Sequence, residues 1–325
     1  MHISHRWNHA SKTLALAVLL IASTGTFAAQ ATGPSPSSEA KSQPAISEDL
    51  STPALADSHL TAEPATITGS YEETEFTRQT IRLQWRPSDP IDLYVVRPAG
   101  VAKPPVVLYL FNYLEGAQSF RNRFFCRFLA RNGYAAVGFS PAFTLERNHG
   151  AKDALLRAMP EALAKSAHDV QMVLDYLKTR DDLDMGRLGV YGEGSGGTIA
   201  ILAAAVDSRI KALDVLDPWG DWPDWLAQTN VIPEKERATY LKPELVNGMA
   251  AFDPTQWLPK LKTGHVRLQE IETTPGIPQS VRDKLASAAP TTAEVVRYPD
   301  RGAYNAKVEP AKKSYEWIKQ ALQGN

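Results

Sequence analysis

Apolar residues in this chain fall into two patterns. A continuous apolar run occurs at Val106 to Phe111, and short strand-like runs occur at Tyr134 to Phe139, Leu188 to Tyr191, Ile210 to Leu216, His265 to Ile271 and Val295 to Tyr298, the last three interrupted by polar residues. Each has strand length, and Val106 to Phe111 and Tyr134 to Phe139 are apolar enough for burial on both faces. Between them lie stretches with helical recurrence. Ser119 to Arg131 is expected to turn Phe120, Phe124, Phe125, Phe128 and Leu129 inward and to stop at Asn132-Gly133. Glu161 to Leu177 places Leu163, Val170, Val173, Leu174 and Leu177 on one side. Gly196 to Val206 is a run of small residues suited to close packing on a sheet, and Ala311 to Leu322 is a closing helix. Ahead of these, Thr77 to Trp85 alternates, Ser88-Asp89-Pro90 turns, and Ile91 to Arg97 returns. The order predicts an α/β fold: a mostly parallel sheet with helices on both faces and an antiparallel edge.

Two segments fall outside this rhythm. Arg6 and Lys12 precede the apolar run Leu14 to Ala22 and the small residues Ser23 to Ala29. That is the order of a secretory signal peptide, expected over residues 1–30, and the run is too short for a stable membrane span. No cysteine is nearby for lipid attachment. Residues 31–70 are rich in Pro, Ser, Ala and Thr and are expected to be a flexible linker, leaving residues 71–325 as one domain. Within it, residues 217–262 hold four tryptophans and several prolines between two predicted strands. This stretch is too apolar for a solvated linker and reads as a lid insertion over one sheet end.

Composition narrows the chemistry. Thirty-five basic and 36 acidic residues give a net charge of -1, and losing Arg6 and Lys12 with the leader takes it to -3. Such a balance argues against nucleic acid as a partner. One cysteine, Cys126, allows no internal disulfide. The seven histidines (2, 5, 9, 59, 149, 168 and 265) include no pair at metal-ligand spacing. Neither a metal nor a cofactor is implied. The turn Gly192-Glu193-Gly194-Ser195-Gly196-Gly197 comes too late in the chain to open a dinucleotide fold. The expected partner is a small molecule or a peptide, met in the periplasm or outside the cell.

Arg187 to Gly197 reads R-L-G-V-Y-G-E-G-S-G-G. It resembles the nucleophile elbow of the α/β-hydrolase superfamily, in its dienelactone hydrolase and prolyl-oligopeptidase-like esterase-peptidase branch. The resemblance extends over about residues 75–322 through the order of strands and helices. It implies a G-x-S-x-G motif at a sharp strand-to-helix turn. Gly192 and Gly196 match the two glycines, which puts Gly194 at the nucleophile position and Ser195 one place late. The family acid follows the strand His265 to Ile271, where alignment on the closing proline puts Thr274. The family histidine follows the last strand, where Ala303 stands, and no histidine follows His265. The oxyanion strand ends in Phe111-Asn112 in place of His-Gly.

Two readings follow. In the first, the hydrolase fold is retained without family-type hydrolysis, and a ligand is bound beneath the lid. Glu193, Phe111, Asn112, Trp219, Trp222 and Trp225 are its candidate contacts, with the tryptophans as an aromatic floor or simply as lid packing. In the second, Ser195 is a nucleophile with an unconventional base, His149 being the candidate and Asp217 a displaced acid. A purely structural role is a third possibility. Glu193 is a candidate base or cation ligand, or else the anchor of a salt bridge. His168 reads as a helix-surface residue, His265 as structural, and His59 as a silent linker residue. Asp217, Asp221 and Asp224 form a weak calcium pattern.

Overall fold

The apolar run at Val106 becomes the centre of a nine-stranded sheet. The computed structural model describes residues 47–56, 58–308 and 315–323, so the expected leader and the first part of the expected linker lie outside them. In chain order the elements are β1 (Thr66–Glu72), β2 (Phe76–Leu83), β3 (Ile91–Pro98), β4 (Pro105–Leu110), α1 (Arg123–Ala130), β5 (Ala135–Gly138), α2 (Lys152–Arg157), α3 (Met159–Lys178), β6 (Asp184–Glu193), α4 (Ser195–Val206) and β7 (Ala212–Leu216). There follow α5 (Trp222–Gln228), α6 (Arg237–Tyr240), α7 (Pro243–Ala250), α8 (Pro254–Trp257), β8 (His265–Ile271), α9 (Gln279–Ala288), β9 (Glu294–Tyr298), α10 (Arg301–Val308) and α11 (Glu316–Gln323).

The strand order is β1-β2-β3-β5-β4-β6-β7-β8-β9. β1, β2 and β3 are antiparallel, β3 runs antiparallel to β5, and every pair from β5 to β9 is parallel. The crossover helices bury both faces at the centre of the parallel part, where β4 and β5 are apolar along their length. One core cluster joins α3, α4 and the insertion to one sheet face. The other joins α1, α10 and α11 to the opposite face. Asn122 caps α1 by accepting hydrogen bonds from the Phe124 and Phe125 amides. α1 leaves Phe124 exposed, unlike the expectation of an inward ring. Among the described residues no helix is long and apolar enough to cross a membrane.

The expected linker is not one from residue 47 onward. Residues 66–72 form the edge strand β1, paired with β2. Residues 47–56 and 58–60 lie as a strap across α3, with Leu50, Leu55 and Leu60 packed on the core. Glu48 receives two hydrogen bonds from Arg86 (2.6 and 2.7 Å) and one contact from His168 Nδ1 at 2.8 Å. Gln171 accepts from the Leu55 amide at 3.0 Å and donates to the Pro53 carbonyl at 2.8 Å. His168 is therefore fully buried rather than on the helix surface. Burial alone would raise the Glu48 carboxyl, but the hydrogen bonds and charges of Arg86 and His168 outweigh it and hold it at about 2. Arg86 also reaches Asp169 at 2.5 Å, and Arg147 pairs with the second oxygen of Asp169. His59 is exposed and bridges to Ser47.

Between β7 and β8 the insertion is helical. α5 packs on α9, and α7 packs on α3. Asp253 ties the start of the insertion to its later part by accepting from the amides of Asp221 (3.0 Å) and Trp222 (3.1 Å).

Candidate functional site

The C-terminal ends of β4, β6, β7 and β8 meet at one edge of the sheet, where open α/β sheets hold their ligands. A cleft of about 330 Å³ lies there. Asn112 and Tyr113 follow β4, Glu193 and Gly194 follow β6, Asp217 follows β7, and Thr274 follows β8. The insertion adds Trp219, Asn230 and Val231, while Lys152 and Arg301 supply positive charge.

The turn from β6 to α4 has the geometry of an elbow. Gly194 stands at φ 57° and ψ -124°, a conformation open essentially to glycine unless the surroundings impose it. The crossing is tight, since a Cβ on Gly196 would lie 2.1 Å from the Leu110 carbonyl oxygen. Position 194 is the residue lifted to the cleft, and Ser195 is the first residue of α4. Ser195 is 1% exposed and does not line the cleft. Its Oγ accepts the Tyr113 amide at 2.8 Å. That contact commits one amide at the end of β4, the place from which an oxyanion would be held. A Cβ on Gly194 would lie 2.9 Å from Asn112 Nδ2 and 3.0 Å from Cγ. The Asn112 amide thus fills the space above the elbow.

Asp217 adopts a left-handed backbone, φ 51°, at the end of β7. Its two oxygens accept from the Ile271 amide (2.8 Å) and from Thr274 Oγ1 (2.6 Å). The sequence left these two residues as separate candidates, and the fold joins them. Burial raises the Asp217 carboxyl against these two hydrogen bonds. Arg282 braces the same turn from outside the cleft, donating to the carbonyls of Ile271 and Thr274. Glu193 is likewise raised by burial, against the charge of Arg301, whose Nη2 lies 3.3 Å from Glu193 Oε1. The salt bridge reaches α10, not the lid.

Other candidates sit elsewhere. His149 is exposed in the loop after β5 and does not line the cleft, and among the residues that do line it there is no histidine. Ala303 lies in α10 with its amide on Asp300, while Arg301, two residues earlier, faces the cleft. Phe111 is buried on the opposite sheet face, beside the rings of Tyr109, Phe120 and Phe125. Trp222 and Trp225 are core residues, 1% and 0% exposed. The three tryptophans do not share a helical face, because Asp221 breaks the backbone with φ 47°. Trp219 instead stacks on Trp225 (4.5 Å between centroids) and meets Tyr113 edge-on at 5.2 Å. Asp221 and Asp224 share the ammonium of Lys284, away from Asp217. Among the described residues no three potential ligands gather around one point for a metal.

Lys152, Asn230 and Arg301 were missed by the sequence reading. Arg301 alone carried a signal, lying in the turn after the last strand.

Residues 91–253 match the dienelactone hydrolase family. The chain belongs to that family. No curated protein matches it in sequence. Among solved structures it is similar to an acetyl xylan esterase from Paenibacillus sp. R4 (TM-score 0.64, 18% identity, covering 85% of this chain and 90% of that one). It is also similar to acetyl xylan esterase 1 from Thermoanaerobacterium sp. JW/SL YS485 (TM-score 0.59, 13% identity, 81% and 88%). A third neighbour is a 2,6-dihydroxy-pseudo-oxynicotine hydrolase (TM-score 0.53, 18% identity, 73% and 66%). At these identities the likeness establishes the α/β-hydrolase fold, which is the fold expected from the sequence.

Proposed function

We propose that this dienelactone hydrolase family member is an exported protein that binds a small molecule or peptide in the cleft without hydrolysing it. The observation that carries the reading is at the elbow: the raised position is Gly194, and the Asn112 amide occupies the space a nucleophile would need. Two further features support it. The Tyr113 amide is taken by Ser195, and no cleft-lining residue is a histidine able to accept a proton. Asp217, held by Thr274 and the Ile271 amide, then serves to fix the cleft wall rather than to orient a base.

A fluorophosphonate probe tests this directly, with an active esterase as control. The expected result is no labelling of the wild-type protein. Labelling that disappears in Ser195→Ala overturns the proposal in favour of a serine hydrolase acting on esters or peptides. Export is tested by N-terminal sequencing of protein recovered outside the cytoplasm, which is expected to begin near residue 30.

A further inference from the structure

Three side chains line the cleft with N–H groups that the chain leaves unused. Lys152 Nζ donates to the Val231 carbonyl at 2.5 Å and forms no ion pair among the described residues. A neutral carbonyl takes one N–H, leaves the charge uncompensated and leaves two further N–H groups to offer. Arg301 reaches Glu193 Oε1 through Nη2 at 3.3 Å, its one hydrogen bond among the described residues, and its side chain is half exposed. Beside the elbow, a Cβ on Gly194 would lie 2.9 Å from Asn112 Nδ2, while Asn112 Oδ1 is closed off. The carboxylates of the cleft leave these donors free. Asp217 has both oxygens filled, by the Ile271 amide and the Thr274 hydroxyl. Glu193 faces one N–H of Arg301, and burial and the charge of Glu115 both oppose its ionisation. Much of the remaining wall is apolar: the rings of Tyr113 and Trp219, Val231 and Ile277, with Leu114 largely exposed beside them. Donors of full charge favour an anion over an alcohol and repel a cation, and an apolar wall favours a hydrocarbon body.

From this arrangement we infer that the cleft takes a small organic monocarboxylate, its two oxygens held by Lys152 and Arg301 with Asn112 Nδ2 as a third donor, and its apolar body against Tyr113, Val231 and Ile277. The inference rests on the binding reading above and names its ligand class. A volume of about 330 Å³ suits a body of one ring. Glu193 competes with the ligand for Arg301, and this fixes the sign of one test.

Three probes of similar shape separate the possibilities by calorimetry: phenylacetate, 2-phenylethanol and 2-phenylethylamine. Phenylacetate is expected to bind roughly tenfold or more tighter than the other two, the worth of a charge-assisted hydrogen bond. Lys152→Met, which keeps the length of the side chain without its charge, is expected to erase most of that preference, and Lys152→Arg to keep it. Glu193→Gln is expected to tighten phenylacetate binding. A cleft disturbed merely by loss of the Val231 contact would weaken 2-phenylethanol as much as phenylacetate in Lys152→Met, and that result would overturn the assignment. Equal binding of the three probes, preference for the amine, or failure of all three at millimolar concentration would also overturn it. Fluorophosphonate labelling of the wild-type protein would remove the non-hydrolytic reading separately, with the preference for phenylacetate still measurable.

Discussion

Glu48→Gln is expected to destabilise the domain far more than a change in a linker would. The substitution keeps the shape of the side chain and removes the charge that Arg86 and His168 hold. The free carboxyl titrates near 4.5 and this one at about 2. At 1.36 kcal/mol for each pH unit, the difference amounts to about 3 kcal/mol of stability at neutral pH. Arg86 keeps Asp169 as a partner, so the loss falls at the low end of the ~3–5 kcal/mol typical of a broken buried pair. For a domain of this size that is roughly 5–10 °C in melting temperature. The sign of the pH dependence follows from the depressed value. The contribution is full above about 4.5 and is lost as pH falls through about 2, so at pH 3 it is about half or less. Thermal unfolding of wild type and variant at pH 7 and pH 3 measures both quantities. Equal melting temperatures at pH 7, or a gap that does not shrink at pH 3, would refute the reasoning.

Four further outcomes are expected. Gly194→Ser alone should not produce an esterase, and its Cβ, crowded by Asn112, should cost about 1–3 kcal/mol in denaturant unfolding. Adding Asn112→Ala should recover part of that cost, and an unchanged deficit would mean that backbone strain dominates. Thr274→Val should cost about 1 kcal/mol by removing one of the two donors to Asp217, and a neutral result would show that the pair does not hold the cleft wall. Glu270 is raised by burial to about 7 against Arg297, so its contribution falls as pH rises from 4.5 through 7. Glu270→Gln should therefore raise the melting temperature at pH 8 and leave it nearly unchanged at pH 5. Calcium should not shift the melting temperature, since Asp221 and Asp224 are engaged by Lys284; a calcium-dependent rise would contradict that pairing.

The parallel sheet was legible because its central strands, β4 and β5, are apolar runs buried on both faces and the others recur between helical stretches at strand length. His265 to Ile271 appears with the same bounds as a strand, and β4, β6, β7 and β9 differ only at their ends. β1 was hidden because it is an edge strand with most side chains exposed, so Thr66–Glu72 carries no apolar alternation. The strap was hidden because its anchors are remote in sequence: Glu48 meets Arg86 and His168, and Leu55 meets Gln171. α9 went unpredicted because only a narrow stripe of Val281, Arg282 and Leu285 is buried. At the site, Gly194, Asp217, Thr274 and Glu193 could be named from motif register. Their mutual contacts could not, and neither could Arg301, whose approach to Glu193 depends on where α10 begins. The tryptophan spacing misled because one left-handed residue, Asp221, separates Trp219 from the helix that carries the other two.

The elbow has a consequence for what sequence change can do here. Its left-handed turn is set by how closely α4 crosses the sheet, with backbone against backbone at Gly192 and Gly196. A reactive side chain is not needed to hold that shape, and its absence does not let the shape relax. Position 194 is therefore confined to residues that tolerate the turn, of which glycine bears the least strain. A fold can in this way keep such an elbow whatever side chain it presents, because the elbow is also the joint between a strand and a helix. Whatever chemistry this edge carries therefore meets a rigid frame that packing, and not the reactive group, maintains.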